Sequence, residues 1–185
     1  MSRHVPMRPF VAKNLPRNAQ GRLFEHEPRP PASWAARPTW GQYPKGFVEW
    51  ACRTLAIDST EVWHVCSGAL WGPRTVDIDP AVRPAVVANG LALPFADGAL
   101  PHVFLDPPYS EDYARDLYGG KYPRPSHLLR EAARVVACGG VVALLHIVTP
   151  NEPAACRHVG TWGITTGPGF RIRAWSVYRR LPRLL

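Results

Sequence analysis

His102-Val103-Phe104-Leu105-Asp106-Pro107-Pro108-Tyr109 reads as a short apolar strand that runs straight into an acid, two prolines and an aromatic ring. Strands buried on both faces of a sheet are short, near-continuous apolar runs. An acid at the end of such a strand lies where open α/β sheets hold their ligands, at the carboxyl edge. The segment therefore sets a fold class and a place to look for chemistry.

The neighbouring stretches fit the same pattern. Val62 to Cys66 and Thr75 to Ile78 are two further short strands, and Ala85 to Ala88 is a third strand or the end of a short helix. Gly46 to Ile57 carries Phe47, Trp50, Ala51 and Leu55 at helical spacing. Ser126 to Ala137 repeats that spacing, with Ser126 as the expected N-cap and Gly139-Gly140 as the terminator. Val141 to Val148 is an unbroken apolar strand, and Ile164 to Arg180 reads as a hairpin around Gly167-Pro168-Gly169. Strands alternating with helices predict an α/β fold with a mostly parallel central sheet and a C-terminal antiparallel hairpin strand.

Composition narrows the setting. The 185 residues suit one domain, here 45–185, preceded by a basic, proline-rich arm at 1–44 that holds eight of the 21 prolines together with Trp34 and Trp40. No apolar run reaches the ~20 residues of a membrane helix, and Met1 to Phe10 lacks the apolar core of a signal peptide. The expectation is a cytoplasmic protein with no membrane partner. Cys52, Cys66, Cys138 and Cys156 form no CxxC pair, so neither a zinc site nor any other metal site is expected, and no Pro-Cys dipeptide offers a cysteine nucleophile. The formal charge is +8, and no acid follows Glu152 although six arginines do. A surface of that sign favours polyanions.

Four segments carry candidate chemistry. His64-Val65-Cys66-Ser67-Gly68 ends a strand in a small-residue turn, where glycine permits close approach of a ligand to the backbone. In Val76-Asp77-Ile78-Asp79, one acid at a strand end can accept from both hydroxyls of a ribose; Asp77 is favoured over Asp79. Asn89-Gly90-Leu91-Ala92-Leu93-Pro94-Phe95 offers a polar edge and apolar walls for an adenine ring. In Asp106-Pro107-Pro108-Tyr109, the carboxylate and the Pro107 carbonyl can accept the protons of a planar amine and localise its lone pair on nitrogen. The prolines hold those acceptors in place. Tyr109 can stack on an everted base, which is worth ~1–3 kcal/mol and offsets part of the few kcal/mol that eversion costs.

Together these segments resemble the class I S-adenosylmethionine-dependent methyltransferases of the amino-methyltransferase type, over about residues 44–180. The Glu131-Ala132-Ala133-Arg134-Val135-Val136 stretch and Gly139-Gly140 belong to the same resemblance. It implies a Rossmann-like fold and S-adenosylmethionine as cofactor. Cys66, Ser67 and Gly68 would then cup the methionine part, Asp77 would hold the ribose, Asn89 with Gly90 would meet the adenine, and Asp106 to Tyr109 would present the target nitrogen. The first loop has a single glycine where many relatives have two, and Ala69 to Arg74 is too short for the usual helix. Tyr43-Pro44-Lys45-Gly46-Phe47 is expected to compensate, with Lys45 and Phe47 closing the cofactor pocket.

The resemblance makes adenine N6 or cytosine N4 in DNA the leading acceptor. RNA, as guanine N2 or adenine N6, is the next, followed by a small-molecule amine and by a non-catalytic cofactor-binding subunit. Only 16 residues separate Tyr109 from Ser126, too few for a recognition domain. Target choice falls to the basic arm, to Tyr113, Arg115, Tyr118, Lys121, Tyr122 and Arg124, or to a second copy or partner subunit. Tyrosine and cation interleaving suits stacking and phosphate contact, and equally suits a lid.

Overall fold

A computed structural model describes residues 43–118 and 122–182. The expected arm at 1–44 lies almost wholly outside the described residues, as does Lys121.

Seven strands form one sheet in the order β3-β2-β1-β4-β5-β7-β6. They are β1 (Val62–Val65), β2 (Thr75–Asp77), β3 (Val86–Val87), β4 (Leu100–Leu105), β5 (Val136–His146), β6 (Cys156–Ile164) and β7 (Arg173–Arg180). β1 to β5 are mutually parallel, and β7 runs antiparallel between β5 and β6. This is the expected mostly parallel α/β sheet with an antiparallel C-terminal hairpin. From β1 the chain steps outward to β2 and β3, then returns to the other side of β1 as β4. The order therefore reverses between β1 and β4, and such a switch point leaves a crevice at the carboxyl ends of the strands.

The two faces of the sheet bury different residues. α1 (Phe47–Leu55) presents Phe47, Ala51 and Cys52 inward, one stripe of a helix, against Phe104, Val141, Ala143 and Trp175. Left-handed Gly46 and Ala56 bracket it. Full burial of a side chain such as Phe47 contributes about 1.5–3 kcal/mol. α3 (Pro125–Val135) covers the opposite face with Leu128, Leu129, Ala132, Ala133 and Val135, over Val65, Val103, Val142 and Leu144. Arg134 on this helix donates to the Leu93 and Phe95 carbonyls at 3.0 and 2.9 Å, and Glu131 accepts from the Leu93 amide at 2.7 Å. This pair, one helical turn apart, clamps the Leu93-Pro94-Phe95 loop onto the helix.

Several boundaries differ from the expectations drawn from sequence. α3 begins at Pro125, with Arg124 in the cap position, so Ser126 lies inside the first turn and is no N-cap. Proline at the first helical position has the required φ and lacks an amide that would go unpaired. β5 begins directly at Val136, and Gly139-Gly140 lie within the strand instead of ending the helix. Its pairing with β4 slips between Leu100 and His102. A Cβ on Gly140 would collide with the Pro101 carbonyl oxygen, so glycine permits the irregular pairing there. The same strand ends at His146, leaving Ile147 and Val148 exposed. The hairpin turns where expected, but its first strand starts at Cys156.

α2 (Glu111–Tyr118) forms where the sequence suggests a lid loop. Ala85 to Ala88 supplies a two-residue strand, not a helix end. Between β1 and β2 there is no helix, as the length of Ala69 to Arg74 implies. Thr75 Oγ1 ties the bare connection instead, donating to the Gly72 carbonyl and accepting from the Ala85 amide, both at 2.9 Å. No helix among the described residues is long and apolar enough to cross a membrane.

Candidate active site

At the switch point lies a cleft of about 600 Å³, within the usual span for small-molecule sites. Its lining joins Cys66 after β1, Asp77 to Pro80 after β2, Asn89 to Leu91 after β3, and Asp106 with Pro108 after β4. Ala114, Tyr122 and Pro123 close it from the α2 side. Segments far apart in sequence thus meet because each follows a parallel strand of one sheet.

The β1 turn is built around two left-handed residues, Cys66 at φ 57° and Gly68 at φ 53°. The left-handed region is strained for a side chain bearing Cβ. Cys66 thus occupies a position that glycine would take without strain, and burial pushes its thiol well up, helped by Asp77 and Asp106. Gly68 donates its amide to Asp77 Oδ2 at 2.8 Å, and the Asp79 amide donates to Asp77 Oδ1 at 3.0 Å. Asp77 therefore fixes the β1 turn to the end of β2, and each of its oxygens keeps a lone pair for a hydroxyl. Asp79 is partly committed elsewhere, accepting from the Ala81 amide at 2.9 Å as the cap of a short 3-10 turn.

Asn89 accepts from the Leu91 amide at 2.9 Å through its side-chain oxygen, which turns the chain under the cleft and leaves its amide as a donor. Gly90 is needed for proximity. A Cβ there would stand 2.9 Å from Leu128 Cδ2 and 3.0 Å from Val65 Cγ1.

Asp106 is 6% exposed, and burial lifts its carboxyl to about 6 even though Arg173 and Tyr109 draw it down. Its Oδ1 accepts from the Tyr109 hydroxyl at 3.0 Å, and its Oδ2 is buried without a partner among the described residues. Arg173, at the start of β7, donates to the Tyr109 hydroxyl oxygen and lies 4.0 Å from Asp106 Oδ1. Its guanidinium also lies 5.8 Å from the Tyr109 ring centre.

His146, at the end of β5, completes the support. Val148 donates its amide to Nδ1 at 3.1 Å, so the ring proton sits on Nε2, 3.3 Å from the Pro108 carbonyl. Burial lowers the basicity of the imidazole and keeps it neutral, and its ring meets Tyr109 edge-on at 5.6 Å. The Tyr122 hydroxyl approaches the same Nε2 at 3.3 Å.

The other residues expected at the site divide. Ser67 and Gly68 are buried in the β1 turn, Pro107 is buried within the Asp106 loop, and Tyr109 is half-buried; none of the four lines the cleft. Phe47 is fully buried against Tyr43, Trp50 and Trp175, and Lys45 is exposed on the turn before it. From that segment it is Tyr43 that lies near Asp106, Cys66 and Tyr109, without lining the cleft. Its hydroxyl is buried without a described partner, and burial raises it far, with Asp106, Cys66 and Tyr109 adding to the rise. Of the expected specificity residues, Tyr122 reaches the cleft and Arg115 pairs with Asp112 at 2.7 Å on the surface. The side chains of Tyr113 and Tyr118 lie outside the described residues.

Sequence reasoning misses Arg173 and His146, and within Tyr43 to Phe47 it singles out Lys45 and Phe47 and not Tyr43. His146 stands in an apolar run with no visible reason to be polar, and that mismatch is the one available signal.

No family model matches the chain, and no curated protein matches it. Among solved structures, it resembles yhhF of Escherichia coli, named as a candidate methyltransferase, with 16% identity over 79% of this chain and 92% of that one, at a TM-score of 0.48. A methylase candidate of Haemophilus influenzae, HI0767, shares 16% over 58% of this chain and 71% of its own, at 0.38. The antibiotic-resistance methyltransferase Kmr shares 14% over 65% and 75%, at 0.38. Each of these scores lies below 0.5, so the Rossmann-like α/β assignment rests on the strand order and register of this chain.

Proposed function

We propose that the chain is an S-adenosylmethionine-dependent N-methyltransferase acting on the exocyclic amine of a nucleobase, with adenine N6 or cytosine N4 in DNA as the first acceptors to test. The observation that carries the reading is Asp106: a buried carboxylate at the switch point, with Oδ2 unpartnered among the described residues, on a two-proline loop beside a tyrosine.

The residues fit the cofactor. Four buried polar atoms lack described partners at the end of β1 and beside it: the Tyr43 hydroxyl, His64 Nδ1, the Ser67 hydroxyl and Asp106 Oδ2. Buried polar groups are ordinarily paired, so an unfilled set, of which Asp106 is on the cleft wall, supports a polar ligand there. The amino-acid end of S-adenosylmethionine supplies an ammonium and a carboxylate of that kind. Asp77 would hold the ribose and Asn89 the adenine edge, both from the cleft wall. Lys45 and Phe47 have no direct part in this assignment. When bound, the cofactor supplies an electrophilic methyl group on sulfur.

The chain's own contribution is to the acceptor. An exocyclic amine delocalises its lone pair into the ring. Acceptance of a proton by Asp106 would localise that pair and raise its nucleophilicity, from an acceptor in place before substrate arrives; the Pro107 carbonyl, expected as the second acceptor, is not on the cleft wall. His146 holds the neighbouring Pro108 carbonyl and buttresses Tyr109, which keeps the loop from relaxing. Tyr122, on the cleft wall, provides a ring against which a planar base can lie; Tyr109, expected in that role, is tied to Asp106 and Arg173 and is not on the wall.

Calorimetry with S-adenosylmethionine, paired with transfer of labelled methyl to DNA and RNA, tests the reading. Binding that weakens in Asp77→Ala, with transfer lost in Asp106→Ala, is expected. Failure of the wild-type chain to bind the cofactor would overturn the proposal and leave a binding module.

A further inference from the structure

The turn between β6 and β7, residues 165–172, lies at the same edge of the sheet as the cleft. β5 runs toward the site and ends at His146, which pairs with Ala174; β7 therefore starts there, and Ile164 pairs with Arg173 across the hairpin. Arg173, the residue after the turn, holds the Tyr109 hydroxyl. The turn thus stands beside the acceptor side of the site, and its side chains are not folded inward. Phe170 is 68% exposed and Ile172 70%, although Ile164 and Trp175 on the adjoining strands are fully buried. Ile147 and Val148, just past β5, expose further apolar surface at this edge. Arg171 is exposed and pairs with no carboxylate among the described residues, and the chain has no acid after Glu152. Gly167 and Gly169 both have positive φ, at 151° and 81°, which lets the turn project the aromatic ring without Cβ strain.

We infer that this turn docks the nucleic-acid acceptor, with Phe170 stacking on a base or filling the gap left by an everted one, and with Arg171 pairing with a phosphate. The inference rests on the nucleobase reading of the site. Its chemistry is that of apolar wedges backed by cations, where ring insertion offsets the cost of unstacking. An acid-free apolar tip fits a polyanion, whereas charge complementarity with a basic protein or an uncharged surface is absent. The turn also supplies what the short stretch between Tyr109 and Ser126 has no room for, a contact with the strand around the target base.

Fluorescence anisotropy with a labelled mixed-sequence oligonucleotide, as DNA and as RNA, tests the inference on the full chain. Phe170→Ala should weaken binding by on the order of 10-fold, as loss of one stacking contact implies. Arg171→Gln should flatten the dependence of log affinity on log salt by about one unit. Both variants should bind S-adenosylmethionine as the wild type does and melt at its temperature, since both side chains are exposed. Wild-type oligonucleotide affinity and salt slope in both variants would overturn the inference while leaving methyl transfer intact. A wild-type chain that binds neither oligonucleotide, or that uses this turn only for a protein, overturns it as well. Turn-dependent binding with no methyl transfer would instead sustain the docking surface and sink the proposed activity.

Discussion

The Tyr109 hydroxyl donates to Asp106 Oδ1 at 3.0 Å, and Arg173 in turn donates to that same hydroxyl oxygen. The contact places the aromatic ring of the Asp106 loop and its carboxylate in one hydrogen-bonded unit. It also leaves Oδ2 as the oxygen still lacking a described partner. Arg173 and Tyr109 both draw the Asp106 carboxyl down against burial, which holds it at about 6.

A pH profile reports on this unit. Acceptance of an amine proton requires the carboxylate, so transfer should fall as pH drops through about 6. Tyr109→Phe and Arg173→Met each remove an influence that lowers Asp106, so each should move that midpoint upward. Arg173→Lys should restore part of the shift. Measured single-turnover rates across pH decide the point, and an acid limb unmoved in both variants would remove Arg173 from the unit.

Stability should show the same group with the opposite benefit. The Asp106 carboxyl is raised from 3.8 to about 6 in the folded chain. The native state therefore holds its proton more tightly than the unfolded chain, and stability falls as pH rises from about 4 to about 6. At about 1.4 kcal/mol per pK unit, ionising Asp106 costs on the order of 3 kcal/mol at neutral pH. Asp106→Asn removes the ionisation and should be more stable than wild type at neutral pH by on the order of 1–3 kcal/mol, with transfer lost. Urea denaturation of both chains at acid and neutral pH checks it. A difference between them that does not grow with pH would contradict burial of an ionised carboxylate.

The β1 turn offers a backbone test. Cys66 has a φ of 57°, and glycine there should relieve strain of about 1–2 kcal/mol, less about 0.5–1 kcal/mol for its extra chain entropy. Cys66→Gly should thus be neutral to slightly stabilising and keep cofactor affinity. Cys66→Val places a β-branched residue in the left-handed region, and should lower both. Thermal melts and calorimetry on the pair separate the two outcomes.

His146→Phe keeps the ring and removes the Nε2 proton that reaches the Pro108 carbonyl. Losing the bond to that part-buried carbonyl costs about 0.5–1.5 kcal/mol and frees the Asp106 loop to shift. The expected signature is a lower transfer rate at saturating substrates with little change in cofactor Kd. An equal loss in both would make His146 a general structural residue.

Much of this is legible in the sequence, for local reasons. β4 and Asp106-Pro107-Pro108-Tyr109 are contiguous, and an apolar strand ending in an acid needs no distant partner to be read. Asp77 and Asn89 follow from the same rule, that ligand groups lie just past parallel strands. Arg173 cannot be read, because an antiparallel strand 64 residues downstream brings it to Tyr109. β6 is hidden by its glycines and charged residues, since Arg157, His158, Gly160 and Gly163 break the apolar alternation of an edge strand. The α3 terminus misleads because Gly139-Gly140 ordinarily stops a helix, yet here both lie in β5 and Gly140 permits a slipped strand pairing against Pro101. Phe47 is expected at the cofactor and lies in the core, since an aromatic at helical spacing satisfies both readings.

The most direct measurement is nucleoside mass spectrometry after incubation of the full chain with methyl-labelled S-adenosylmethionine and separate DNA and RNA pools. Nucleobase N-methylation predicts label on an exocyclic nitrogen of a base in one pool, absent when Asp106→Ala replaces the wild type. Label on a ring carbon or a ribose oxygen, or transfer that survives in Asp106→Ala, would contradict it.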